Sequence, residues 1–155
     1  MGLIKRYMPL TRIIMIMAVA SLVMGVVFIA QGVTKADWMS DAMRIEKVTV
    51  GLSDEAIENG NVVDNAAEAQ AAGDTIREHR RGIAETYNEL LGEGRYDPTN
   101  PDHLTYAQAL NMENYLYLGV LGFGVTQIAM AAGAFMIFTG IGLGAASLAL
   151  SRRTS

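Results

Sequence analysis

NYLYLGVLGFGVTQIAMAAGAFMIFTGIGLGAASLALS, residues 114–151, is a run of 38 residues without one formal charge, with Glu113 before it and Arg152 after it. A helix rises about 1.5 Å per residue and the hydrocarbon layer of a bilayer is about 30 Å thick, so about 20 residues cross it. The run is nearly twice as long as one crossing needs. It predicts a membrane-spanning helix whose outer turns continue above the lipid and must be buried against other protein.

A second uncharged run, Ile13 to Thr34, has 22 residues and fits one crossing. The basic residues ahead of it also suit a cleaved signal peptide. Its apolar block is too long for one, however, and the best cut, after Ala36 with Thr34 three positions before it, is a poor small-residue site. An uncleaved anchor is expected. Trp38, Tyr115 and Tyr117 fall where aromatic rings mark the outer interface, and Tyr7 is placed to do the same inside.

Charge settles the expected orientation. Between Lys35 and Glu113 lie all 16 acidic residues against seven basic ones, a net charge of −9, whereas the flanks carry only Lys5, Arg6, Arg12, Arg152 and Arg153. Basic residues beside spans are retained in the cytoplasm. Both termini are therefore expected inside, with an acidic extracytoplasmic segment that would repel nucleic acid. The expected layout is a cytoplasmic N-terminus 1–12, a first span 13–34, an outer domain 35–113, an outer helix extension and second span 114–151, and a cytoplasmic tail 152–155. The fold class is all-α: two transmembrane helices with a mainly helical extracytoplasmic loop domain. Cysteine is absent, so disulfides and thiolate metal sites are excluded.

Within the outer domain, Lys47 to Leu52 alternate like a short strand, and Asn61 to Asp64, after the Asn59-Gly60 turn signal, offer it a hairpin partner. A helix is expected from Ala66 to Leu91, capped by Asp64 or Asn65, with Gly82 as a site for a break. Ile76, His79, Ile83, Tyr87 and Leu90 share its packing stripe. Asn100 followed by Pro101 starts the long helix that runs into the second span. With so few apolar residues and no crosslink, the outer domain should lean on the protruding span helices.

Small residues dominate the informative positions of the spans. Ser21 and Gly25, with Ala18 and Gly32, and Gly140 and Gly144, with Gly133, allow close helix approach. Gln31 and Gln127 can lie at one depth and bond across the pair. Neither membrane core holds an ionisable residue, which argues against a proton relay or transport site. His79 and His103 belong to no metal-ligand pairing, so neither a metal nor a cofactor is expected. Asp97, Asn100 and Asp102 could present oxygens to calcium, but their spacing matches no loop motif, and capping already explains Asn100.

The order of short blocks resembles a family of small two-span proteins of Actinobacteria and Chloroflexota. It comprises Val48 and Val50, Ala67 to Ala71 with Ile76 and His79, Thr86 to Leu90, and Phe123 to Val125. The chain departs from that pattern by a longer, proline-containing segment after Leu90. Some members carry the label aromatic ring-opening dioxygenase. Extradiol chemistry needs iron held by two histidines and a carboxylate, and nothing in the sequence makes His79 and His103 converge. The expectation is therefore a non-enzymatic membrane protein. Its partners would be the bilayer and either copies of itself or the subunits of a larger envelope complex. The alternative is an outer binding or sensing module for a cation or a basic ligand.

Overall fold

The computed structural model describes the backbone of residues 2–154 and the side chains of residues 10–152. Lys5, Arg6, Tyr7 and Arg153 therefore lie outside the described side chains. Among the described residues five helices follow one another: α1 (Gly2–Glu46), α2 (Asp54–Glu58), α3 (Ala66–Ile83), α4 (Tyr87–Leu91) and α5 (Pro101–Thr154). Both α1 and α5 are long and apolar enough to cross a membrane.

Local chemistry explains the boundaries of the short helices. Asn65 caps α3 by accepting from the Ala67 and Glu68 amides at 3.1 Å each, and the Glu68 carboxylate reaches back to the Asp64 amide. Thr86 and Glu89 repeat the device at α4, where the Thr86 hydroxyl accepts from the Glu89 amide and the Glu89 carboxylate accepts from the Glu85 amide. Asn100 accepts from the Asp102 amide at 2.9 Å and so starts α5 ahead of Pro101.

The second of these caps changes the expected packing stripe. Ala84 is extended, at φ −157° and ψ 141°, so the helix stops at Ile83 and restarts at Tyr87. Positions 76, 79, 83, 87 and 90 then cannot share one helical face.

Among the described residues there is no strand. Lys47 at φ 49° and Gly51 at φ 81° interrupt the extended geometry that a hairpin needs. A single backbone bond remains, from the Val63 amide to the Val48 carbonyl at 2.8 Å. The Asn59-Gly60 pair closes α2 instead of turning a hairpin. Gly60, at φ 78°, donates to Ile57 while Asn61 donates to Ala56, the paired bonds of a left-handed helix terminus.

The chain divides into two compact units, residues Met1–Lys35 with Val125–Ser155, and Ala36–Gly124. The second unit has a small apolar core of Met43, Val48, Val63, Ala69, Ala72, Leu116 and Phe123. It runs past Glu113 to Gly124 because Leu116 and Phe123 of α5 belong to that core.

Candidate functional site

In the first unit, α1 and α5 meet along a seam of small residues spaced by seven. An ideal Cβ at Gly25 would lie 2.7 Å from the Gly133 carbonyl oxygen, and one at Gly133 would lie 2.6 Å from that of Gly25. One heptad on, Gly32 lies against the Thr126 carbonyl and Met130; one heptad back, Gly140 lies against the Ala18 carbonyl and Leu22. Ser147, almost fully buried, donates to the Thr11 carbonyl at 3.0 Å and closes the series. Ser21 adds a bond to the Met136 carbonyl at 2.7 Å. The contacts run in opposite directions along the two helices, so the pair is antiparallel. Any side chain at Gly25 or Gly133 would push the backbones apart. Gly144 is less tight, since a Cβ there would make only an ordinary contact with Ala18. Gln31 and Gln127 both face outward and make no bond across the pair.

Polar chemistry gathers in the second unit. Arg80 of α3 donates through Nε to Glu113 at 2.7 Å and through a terminal nitrogen to the Tyr106 hydroxyl, with its guanidinium 4.9 Å from the Tyr106 ring centre. All three side chains are buried. The Glu113 hydrogen bond raises the Arg80 pKa above its ordinary value, so the cation persists at any physiological pH. Beside this network the Tyr117 hydroxyl donates to Asp74 at 2.7 Å, and the Tyr117 ring packs on Gly73. Hydrogen bonds from Gln70 and then from Tyr117 hold the Asp74 carboxyl below its usual range.

Several expected positions are displaced. His79 is exposed, and the buried residue beside it is Arg80. The reason is register: Ala69, Ala72, Gly73, Ile76 and Arg80 follow the three- and four-residue steps of the covered face, and His79 falls one residue short. Ile76 packs against the core, Ile83 and Leu90 are half-buried, and Tyr87 is exposed beside Tyr106. Trp38 and Tyr115 are exposed, whereas Tyr117 is committed to Asp74. Nothing in the hydropathy pattern flags Arg80 and Glu113, because both are formally charged. A search for charges on the α3 stripe would have found Arg80.

Asp97, Asn100 and His103 are occupied locally. Asp97 accepts from the Thr99 amide and hydroxyl, Asn100 caps α5, and His103 Nδ1 accepts from the Asp97 amide at 3.0 Å. Among the described residues no three histidine or acidic side chains converge as metal ligands. The buried network is a hydrogen-bonded ion pair, and what it can do is clamp α3 to α5. No family model, curated protein or solved structure matches the chain.

Proposed function

We propose that this is a structural or accessory integral membrane protein in which two spans carry an acidic helical module outside the cytoplasmic membrane. It acts as the building block of a homo-oligomer or as a small subunit of a larger envelope complex. The observation that carries this reading is the allocation of the polar groups. Arg80, Glu113 and Tyr106 satisfy one another inside the module, while large apolar side chains are left uncovered on its outside, Ile45 at 78% and Leu118 at 65% exposure. Such residues call for neighbours.

The orientation rests on charge and on the seam. Arg12 and Arg152 flank the spans, and the Ser147–Thr11 bond joins the corresponding ends of the antiparallel pair, which supports both termini inside. The absence of ionisable residues from the spans supports a scaffold over a transporter. The two-span family of Actinobacteria and Chloroflexota is our proposal for its kin, on the joint order of blocks alone. The cation or basic-ligand reading has only the net charge of −9 behind it.

The chain has no cysteine, so single-cysteine variants report topology cleanly. Glu93→Cys should react with a membrane-impermeant maleimide in intact cells, and Ser155→Cys only after permeabilisation. The reverse pattern would invert the topology. Native mass measurement in detergent should give more than one copy or a co-purifying subunit, and a stable monomer would remove the assembly role.

A further inference from the structure

A groove in the unit Ala36–Gly124 is lined by Tyr87, Tyr96, Ala107, Leu110, Asn111 and Asn114 and has a volume of about 460 Å³. Its wall holds no charged side chain. That is notable on a segment with a net charge of −9, where other grooves are walled in part by Arg44 and Asp64, by Glu89 and Asp102, or by Glu46.

Two features of the wall are preorganised. The Tyr96 ring stacks on His103, with centroids 5.7 Å apart and planes at 24°, and His103 is itself held by the Asp97 amide. The Tyr87 ring leans on Tyr106 at 6.3 Å. Each phenol is thus braced by a neighbouring ring yet remains accessible, at 45% for Tyr87 and 36% for Tyr96. Asn111 and Asn114 of the same groove are exposed, and their amides bond to no other described side chain.

This chemistry selects its ligand. A charged molecule would find no opposite charge in the wall. A purely apolar one would strip water from the two amides without replacing it. A pyranose suits both parts, because its C–H face can lie on the electron-rich face of a phenol ring and its hydroxyls, each donor and acceptor, match a carboxamide. The groove is shallow and open to solvent, so a bound ring would keep one face in water. Asn111 and Asn114 also line the adjoining groove with Gln108, Tyr115 and Glu46, whose carboxylate can accept from sugar hydroxyls, so a chain of sugars can continue past the first ring.

We propose that this groove binds a neutral oligosaccharide. The proposal rests on the reading that the module faces outward, where envelope glycans are found.

The test uses the full chain in lipid nanodiscs, with chitotetraose, cellotetraose and maltotetraose as probes in saturation-transfer NMR and calorimetry. Transfer to the ring protons of at least one sugar is expected. Tyr96→Ala and Asn111→Ala should each weaken binding about tenfold, the loss of one stacking or hydrogen-bonding partner, while Gln70→Ala on α3 leaves it unchanged. Asn111 is exposed, so its variant carries the test even if Tyr96→Ala fails to fold. Silence from all three sugars would overturn the proposal, as would binding that ignores both substitutions. Self-association lost in the same variants, without sugar binding, would assign the groove to a protein partner and overturn it too. Nanodiscs expose both membrane faces, so a negative titration leaves the topology and assembly measurements above to be judged separately.

Discussion

Arg80 is held on three sides: Glu113 takes one nitrogen, the Tyr106 hydroxyl another, and the Tyr106 ring lies 4.9 Å from the guanidinium carbon. Removing one partner of a buried pair strands the other charge, so Arg80→Met or Glu113→Leu alone should cost about 3–5 kcal/mol. Removing both should cost far less, because two apolar side chains of similar volume leave no orphan. Denaturant unfolding of the two single variants and the double variant checks this, and simple additivity would show that the pair is not coupled. Asp74 makes a different prediction. Its pKa is lowered in the folded state, so its bonds from Gln70 and Tyr117 stabilise above the unfolded value and are lost as pH falls through the folded one. The melting-temperature advantage of the native chain over Asp74→Asn should therefore be present at neutral pH and shrink below about pH 4. Periodicity alone read His79 as the buried member of α3. Counting the helical steps from Ala69 without excluding charged residues reaches Arg80.

At the scale of elements, the caps act locally and the glycines act between elements. Thr86→Ala should cost about 1 kcal/mol and speed hydrogen exchange in Tyr87–Leu91 while leaving α3 protected, because Ala84 already separates the two helices. Gly51 combines φ 81° with a neighbour that leaves no room: a Cβ there would lie 2.9 Å from the Ala72 backbone nitrogen. Gly51→Ala should cost about 1–3 kcal/mol and loosen the loop against α3, seen as faster exchange around Ala71 and Ala72. Because Ile76, and not Ile83, packs on the core, Ile76→Asp should release α3 and Ile83→Asp should do so much less. In the spans, Gly25→Leu should separate α1 from α5. A crosslink between cysteines placed at Thr11 and Ser147 would report it, forming readily in the otherwise native chain and poorly in the variant. The pairs Ser21-x-x-x-Gly25 and Gly140-x-x-x-Gly144 in the sequence pointed toward this seam, although Gly144 makes only an ordinary contact in it. Its full extent follows from the seven-residue spacing of Thr11, Ala18, Gly25 and Gly32 and of Thr126, Gly133, Gly140 and Ser147.

For the molecule as a whole, the uncharged runs 13–34 and 114–151 by themselves determined two helices long and apolar enough to cross a membrane, because bilayer thickness sets a length that composition must meet. Asn100, and the pair Asp64 and Asn65 of which Asn65 is the cap, likewise announced their helix starts, since a cap is chemistry between near neighbours in the chain. The tertiary structure decided the rest. It rejected the hairpin, because Lys47 and Gly51 adopt positive φ to lay the loop on α3. It buried Arg80, because Tyr106 and Glu113 approach it from helix α5, 26 and 33 residues away, and a charge can be buried only where such partners converge. It also gathered Tyr87 and Tyr96 beside Asn111 and Asn114, residues with no common period and no motif, whose joint chemistry exists only once the loop after α4 folds back on α5.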